Sequence, residues 1–293
     1  MQNKITEGKQ MWNEITLSGF ADEISPSLAK QIEVLKKLDM KYIEMRGVNG
    51  KGLVEYTLPE VREIKKQLSD AGMQLSSVGS PIGKIGIADD FAPHFELFKH
   101  TVEIAHIMGT ENIRMFSFFI PQGADAAQYR GKVMEQIGQM ADYAAANAAV
   151  LLHENEKEIY GDIAPRCMEI MKEFYGAHFK AVFDFANFVQ CRQDTLEAYE
   201  MLKPYIAYVH IKDALWKDGS VVPSGYGDGH VKEILDQLRD SGYHGFLSLE
   251  PHLADFAGFS ALESGKSAGE KPRKLSGEEA FTLAHDSLLK LIG

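Results

Sequence analysis

Cysteine is scarce in this 293-residue chain, which holds only Cys167 and Cys191. Two thiols without a repeated spacing argue against a disulfide framework and a thiolate zinc site, and fit a reducing compartment. Long apolar runs are missing as well. No stretch approaches the roughly 18 residues needed to span a bilayer. The opening segment MQNKITEGKQMWNE has no apolar core of the kind a secretory signal requires. A cytoplasmic protein is expected. Positive charge is in deficit: 31 Lys and Arg against 42 Asp and Glu leave a net charge of −11. Such a surface repels nucleic-acid phosphates and anionic membranes, so neither is an expected partner. It is compatible with a neutral substrate, or with a metal ion offsetting local acidity. Two phosphate signatures are absent: no Gly-x-Gly-x-x-Gly follows the first strand, and GSPIGK (79–84) lacks the P-loop spacing. The latter is expected to be a loop.

What is present is a βα rhythm. Short β-rich runs at 15–20, 41–46, 73–79, 112–118, 149–154, 180–185, 206–212 and 245–250 alternate with longer helical patterns. Val61, Ile64 and Leu68 recur at helical spacing before Gly72, and Asp194 with Glu197 and Ser276 with Glu279 read as helix starts. Eight such units with one composition regime predict an α/β fold: a single (β/α)8 TIM barrel, with a closed parallel sheet and outer helices. Residues 1–14 read as an N-terminal extension and 15–293 as the barrel domain. The connections 213–229 and 251–275 are long, which suggests lids over the strand-end face.

Four strand-like runs end in a possible metal ligand. VLLHE ends at Glu154, AVFD at Asp184, YVH at His210 and FLSLE at Glu250. Side chains alternate along a strand, so Glu154 shares a face with Leu152 and Val150, Asp184 with Val182, His210 with Tyr208, and Glu250 with Ser248 and Phe246. All four can point into one barrel mouth. A single strand-end charge is usually a solvated loop residue; four in one register point to a site. Three carboxylates crowded together resist joint ionisation, and a divalent ion resolves the conflict. This mostly hard donor set suits one divalent metal, Mn2+ first, with Mg2+, Co2+ or Zn2+ also compatible.

The runs LLHENEKEIYGD (151–162), FDFANFVQ (183–190), YVHIKDAL (208–215), GYGDG (225–229) and GYHGFLSLEPH (242–252), with SGFADEIS (18–25) and YIEMRG (42–47), resemble the xylose isomerase-like TIM barrel (sugar phosphate isomerase/epimerase) family over nearly the whole chain. The resemblance implies that Glu154, Asp184, His210 and Glu250 bind the ion. It also implies that Glu154 and Glu250 act as an acid/base pair on a sugar or cyclitol, moving a proton beside a carbonyl through an enediolate. A dehydratase or other lyase acting on a keto-sugar or inosose follows the same logic. Homo-oligomers are implied too, as relatives are often dimers or tetramers. One departure is Asn187, where epimerases of the family often carry His. An amide hydrogen-bonds a hydroxyl but does not exchange protons near neutral pH.

Glu44, His153, Glu156, Asn187, Lys212 and His252 are the expected substrate contacts. An Arg46–carboxylate pair supporting the barrel and a Lys212 salt bridge to Asp213 or another acid are structural alternatives. GYGDG is expected to be a flexible turn. Two other classes stand beside the isomerase. One is an endonuclease IV-like repair enzyme, which the acidic balance opposes; the other is a non-catalytic sugar-binding barrel, which the complete ligand quartet opposes.

Overall fold

A computed structural model describes residue 12, residues 15–253 and residues 274–293. Eight parallel strands form one sheet: β1 (Thr16–Gly19), β2 (Tyr42–Met45), β3 (Gln74–Ile82), β4 (Asn112–Met115), β5 (Val150–Glu154), β6 (Phe179–Asp184), β7 (Ile206–Ile211) and β8 (Phe246–Leu249). The hydrogen-bonded order runs β1-β8-β7-β6-β5-β4-β3-β2. β1 and β2 also lie side by side, without a ladder between them, so the barrel is nearly closed. Helices surround it: α1 (Leu28–Lys37), α2 (Leu58–Asp70), α3 (Phe91–Met108), α4 (Arg130–Ala146), α5 (Ala164–Phe174), α6 (Phe185–Gln190), α7 (Thr195–Leu202), α8 (Val231–Asp240) and α9 (Gly277–Ile292). No helix among the described residues is long and apolar enough to cross a membrane.

Local chemistry sets the helix ends. Asp194 caps α7 by accepting from the Glu197 amide, and Ser276 with Glu279 forms a capping box on α9. α2 begins at Leu58, ahead of the apolar repeat, because Thr57 and Glu60 form a second capping box. The six-residue α6 follows β6 directly, with Asp184 as its cap. The run 79–84 differs from expectation, since β3 continues to Ile82. Gly83 then turns the chain with φ +88°, and a Cβ there would stand 1.9 Å from the Phe116 carbonyl oxygen. Only glycine fits that approach.

Strand parity separates two apolar layers. Leu247, Leu249, Val209, Ile211, Phe183 and Leu151 pack outward in the main core with the helices. Val150, Leu152, Val182 and Tyr208, with Phe246, fill the barrel axis. One chain of hydroxyls crosses the barrel interior. Ser18 Oγ lies 2.6 Å from Ser76 Oγ, which lies 2.8 Å from the Tyr208 hydroxyl, linking β1, β3 and β7. The inward faces of β5–β8 therefore continue from apolar residues to the polar strand ends.

The connection 213–229 is built around one carboxylate. Asp213 pairs with Val222 and Ala214 with Val221 in a short antiparallel hairpin. The Asp213 side chain accepts from the amides of Ala214, Gly225, Gly227 and Gly229 at 2.9–3.0 Å. GYGDG is thus folded onto an internal anion, which corrects the flexible turn expected there. Most of the second expected lid, 251–275, lies outside the described residues, as does nearly all of the extension 1–14.

Candidate metal centre

Ladder register brings the four strand ends to one level. Asp184 is paired with His210, His210 with Ser248, and Glu154 with Val182, two residues before Asp184. Glu250 follows two residues after Ser248, on the same face. The four side chains are 0–4% exposed. Each offers a donor atom, and these atoms all lie within 4.8 Å of one another.

Neighbours orient each donor. Glu44 on β2 reaches under His210, placing Oε2 3.1 Å from Nε2, while the Ser248 hydroxyl donates to the same oxygen at 2.6 Å. In the neutral ring, a proton held on Nε2 by Glu44 would leave the Nδ1 lone pair for a cation in the cluster. Asp184 Oδ1 accepts from the Asn187 amide at 2.7 Å, which leaves Oδ2 for the cluster. Glu154 is gripped from both sides: Asn187 Nδ2 donates to Oε1 at 3.2 Å and Arg114 Nη1 to Oε2 at 3.2 Å. Lys212 Nζ lies 2.8 Å from Glu250 Oε2 and 3.0 Å from Asp184 Oδ2. Arg46 and His252 approach the other Glu250 oxygen at 3.5 and 3.2 Å.

Two observations test whether a cation fits. Asp184 Oδ2 and His210 Nδ1 are buried and complete no hydrogen bond, although charged neighbours stand near both. Each has a charged group at 3.0 Å, Lys212 for Oδ2 and Glu154 for Nδ1, placed outside hydrogen-bond geometry, and both atoms point into the cluster. Charge gives the second test. The buried set holds four carboxylates (Glu44, Glu154, Asp184, Glu250) and two fixed cations (Arg114, Lys212). With neutral His210 the shortfall is two positive charges, which one divalent ion supplies. The donor set fits such an ion.

Protein alone meets the shortfall with protons. Burial raises the Asp184 carboxyl to about 7; Lys212 opposes the rise, and Glu250 and Glu154 add to it. His210 is desolvated, but Glu154 and Glu44 outweigh that and hold its pKa well above the usual histidine value. For Glu154, burial is overcome by His210 and Arg114, bringing it down to about 2. Glu250 is likewise held well below the usual range, with Lys212 overriding its burial.

A cavity of about 260 Å3 opens beside the cluster, lined in part by Arg46, Lys84, Arg114, Asn187, Lys212 and His252. Of the expected substrate contacts, Glu156, Asn187, Lys212 and His252 reach its wall. Glu44 does not; it is 1% exposed and stands behind His210. His153 does not reach it either. It points into the helix layer against Phe179, ring centroids 6.4 Å apart, where burial lowers its pKa to about 4. Lys212 pairs with Asp184 and Glu250 rather than Asp213, which is engaged by the glycine amides. Arg46 holds Asp22 at 2.8 Å as well as approaching Glu250. Arg114 was not anticipated. Its signal was an arginine in a four-residue strand, in register with inward Asn112, since arginine is seldom buried without a partner.

A charged pocket at the carboxyl-terminal strand ends of a parallel (β/α)8 barrel stands where enzymes of this fold keep their active sites. The chain belongs to the xylose isomerase-like TIM barrel family, whose model matches residues 32–275. A 3-dehydroshikimate dehydratase from Bacillus anthracis is 22% identical over 227 residues, 71% of this chain and 79% of the relative. Among solved structures, 3-keto-D-glucoside 4-epimerase from E. coli superposes with a TM-score of 0.65 at 18% identity, covering 95% of this chain and 98% of that one. The IOLI protein with a bound zinc atom gives 0.71 at 14% identity, over 95% and 98%. At these identities the structural matches show the fold.

Proposed function

We propose that the protein is a divalent-metal-dependent isomerase or epimerase. It would act on a small polyhydroxylated ketone, a sugar or cyclitol, by moving a proton on a carbon beside the carbonyl. The observation that carries the reading is the convergence of Glu154, Asp184, His210 and Glu250 donor atoms within 4.8 Å of one another next to the cavity. A divalent ion held by these four residues, manganese being the one proposed, would polarise the substrate carbonyl and stabilise charge on its oxygen.

The chain's own groups supply the rest. Glu154 and Glu250 are the two carboxylates held ionised by cationic neighbours, so each has the free oxygen lone pairs that a general base needs. Neither carries a proton at rest, so the acid of the return step is the carboxyl formed by the abstraction, or its partner after exchange. Asn187 and Arg114 hold Glu154 in place, and Asn187, Glu156 and His252 offer hydrogen bonds from the cavity wall. The volume of about 260 Å3 among the described residues suits one sugar ring or an open-chain equivalent.

A second reading is a dehydratase, in which the same abstraction is followed by loss of a β-hydroxyl. The Bacillus anthracis relative favours it. The test is manganese-loaded protein incubated with keto-sugars, inososes and 3-dehydroshikimate in D2O, with E154Q and E250Q beside it. Deuterium incorporation or elimination that both variants abolish supports the reading. Full turnover in both variants overturns the acid/base assignment.

A further inference from the structure

Resting on the reading of Glu154, Asp184, His210 and Glu250 as a cation site, we infer that Lys212 is the built-in counter-cation of that site. By holding Asp184 and Glu250 it sets the charge taken up from outside at two, and it weakens the grip on the ion. Lys212 follows His210 by two residues and is 6% exposed. Its Nζ stands 2.8 Å from Glu250 Oε2 and 3.0 Å from Asp184 Oδ2. Those two oxygens are also the ones facing His210 Nδ1, at 3.8 and 3.9 Å. Lysine and an incoming ion therefore address the same lone pairs.

Arg114 differs in this respect. It donates to Glu154 Oε2, whereas Oε1 is the oxygen 3.0 Å from His210 Nδ1. Its other amino group is tied to the Gly79 carbonyl at 3.1 Å. Arg114 thus steadies a ligand from outside the cluster, whereas Lys212 touches the cluster's own donor atoms.

A purely supporting lysine predicts the opposite behaviour. Removing a prop loosens the ion. Removing a rival cation a few ångströms away in a poorly solvated site tightens it, because like-charge repulsion is strong there. The sign of the change separates the two roles.

The experiment is calorimetric and thermal-shift titration of Mn2+ into chelator-stripped full-length protein, wild type beside K212M, K212R and H210A. The expected result is one ion per wild-type chain, lost in H210A. K212M should bind at least ~10-fold tighter and show a larger rise in Tm on loading, while K212R, which keeps the charge, stays near wild type. If K212M does not fold, K212Q makes the same comparison with a neutral side chain. Wild-type uptake that H210A loses, with K212M or K212Q equal to or weaker than wild type, overturns the counter-cation role alone. No uptake by wild type overturns the cation site and this inference with it.

Discussion

Glu44 and His210 face each other across the barrel interior, Oε2 3.1 Å from Nε2, both essentially without solvent exposure. In the neutral ring the carboxylate selects the tautomer that leaves Nδ1 free, and the Ser248 hydroxyl fixes the carboxylate in turn. E44Q keeps the shape but offers an amide in place of a charged acceptor. Mn2+ affinity should fall by about 10–100-fold, the usual cost of losing such a support, with the fold retained by circular dichroism. Unchanged affinity would show that His210 needs no orientation from Glu44.

Arg114 and Glu154 form an ion pair with both side chains nearly inaccessible, 5% and 1% exposed. Removing one partner of a buried pair leaves a bare charge and typically costs about 3–5 kcal/mol. R114M should lose stability of that order in urea denaturation of metal-free protein. A loss under about 1 kcal/mol would place the pair in a wetter setting than its burial indicates.

The legibility of the site in the sequence followed strand parity. Alternation in VLLHE and FLSLE assigned Glu154 and Glu250 inward, and the leucines of FLSLE pack outward. The same alternation argues against His153, the neighbour of Glu154, which does point into the helix layer. Glu44 and Arg114 were harder. Their roles depend on partners 166 and 40 residues away, and strand parity alone cannot show how far a side chain reaches across the barrel. The fold was readable from eight βα periods, whereas the α6 cap required the second role of Asp184.

Asp213 gathers four amides, three of them from Gly225, Gly227 and Gly229. D213N replaces one acceptor oxygen with an NH2 group that faces donors. Hydrogen exchange at 225–229 should speed up by at least ~10-fold, since a hydrogen bond to a charged group contributes about 1.5–3 kcal/mol. Equal protection in the variant would mean that the hairpin holds the segment unaided.

His94 accepts the Gly83 amide at 2.7 Å through Nε2, so its neutral form is the one the fold uses. Burial lowers its pKa below the ordinary 6.5. In the window between that value and the lower folded one, the unfolded chain binds the extra proton. The stabilisation is therefore complete above about 6.5 and is lost as pH falls through that window. Urea denaturation at pH 7.5 and pH 5 should show this loss, and H94Q should have a shallower slope. An identical slope would assign the acid sensitivity elsewhere.

The candidate ligands and two of their supports come from different stretches of chain. Glu154, Asp184, His210 and Glu250 end β5–β8, while Glu44 and Arg114 belong to β2 and β4. Residues 150–250 alone would present all four candidate ligands with Asn187 and Lys212 beside them, but without the Glu44 acceptor under His210 and the Arg114 guanidinium on Glu154, and the first half would hold that carboxylate and guanidinium with no counterpart. Ring closure and charge neutrality are reached in the same act of assembly, so an ion tightly held here reports a finished barrel.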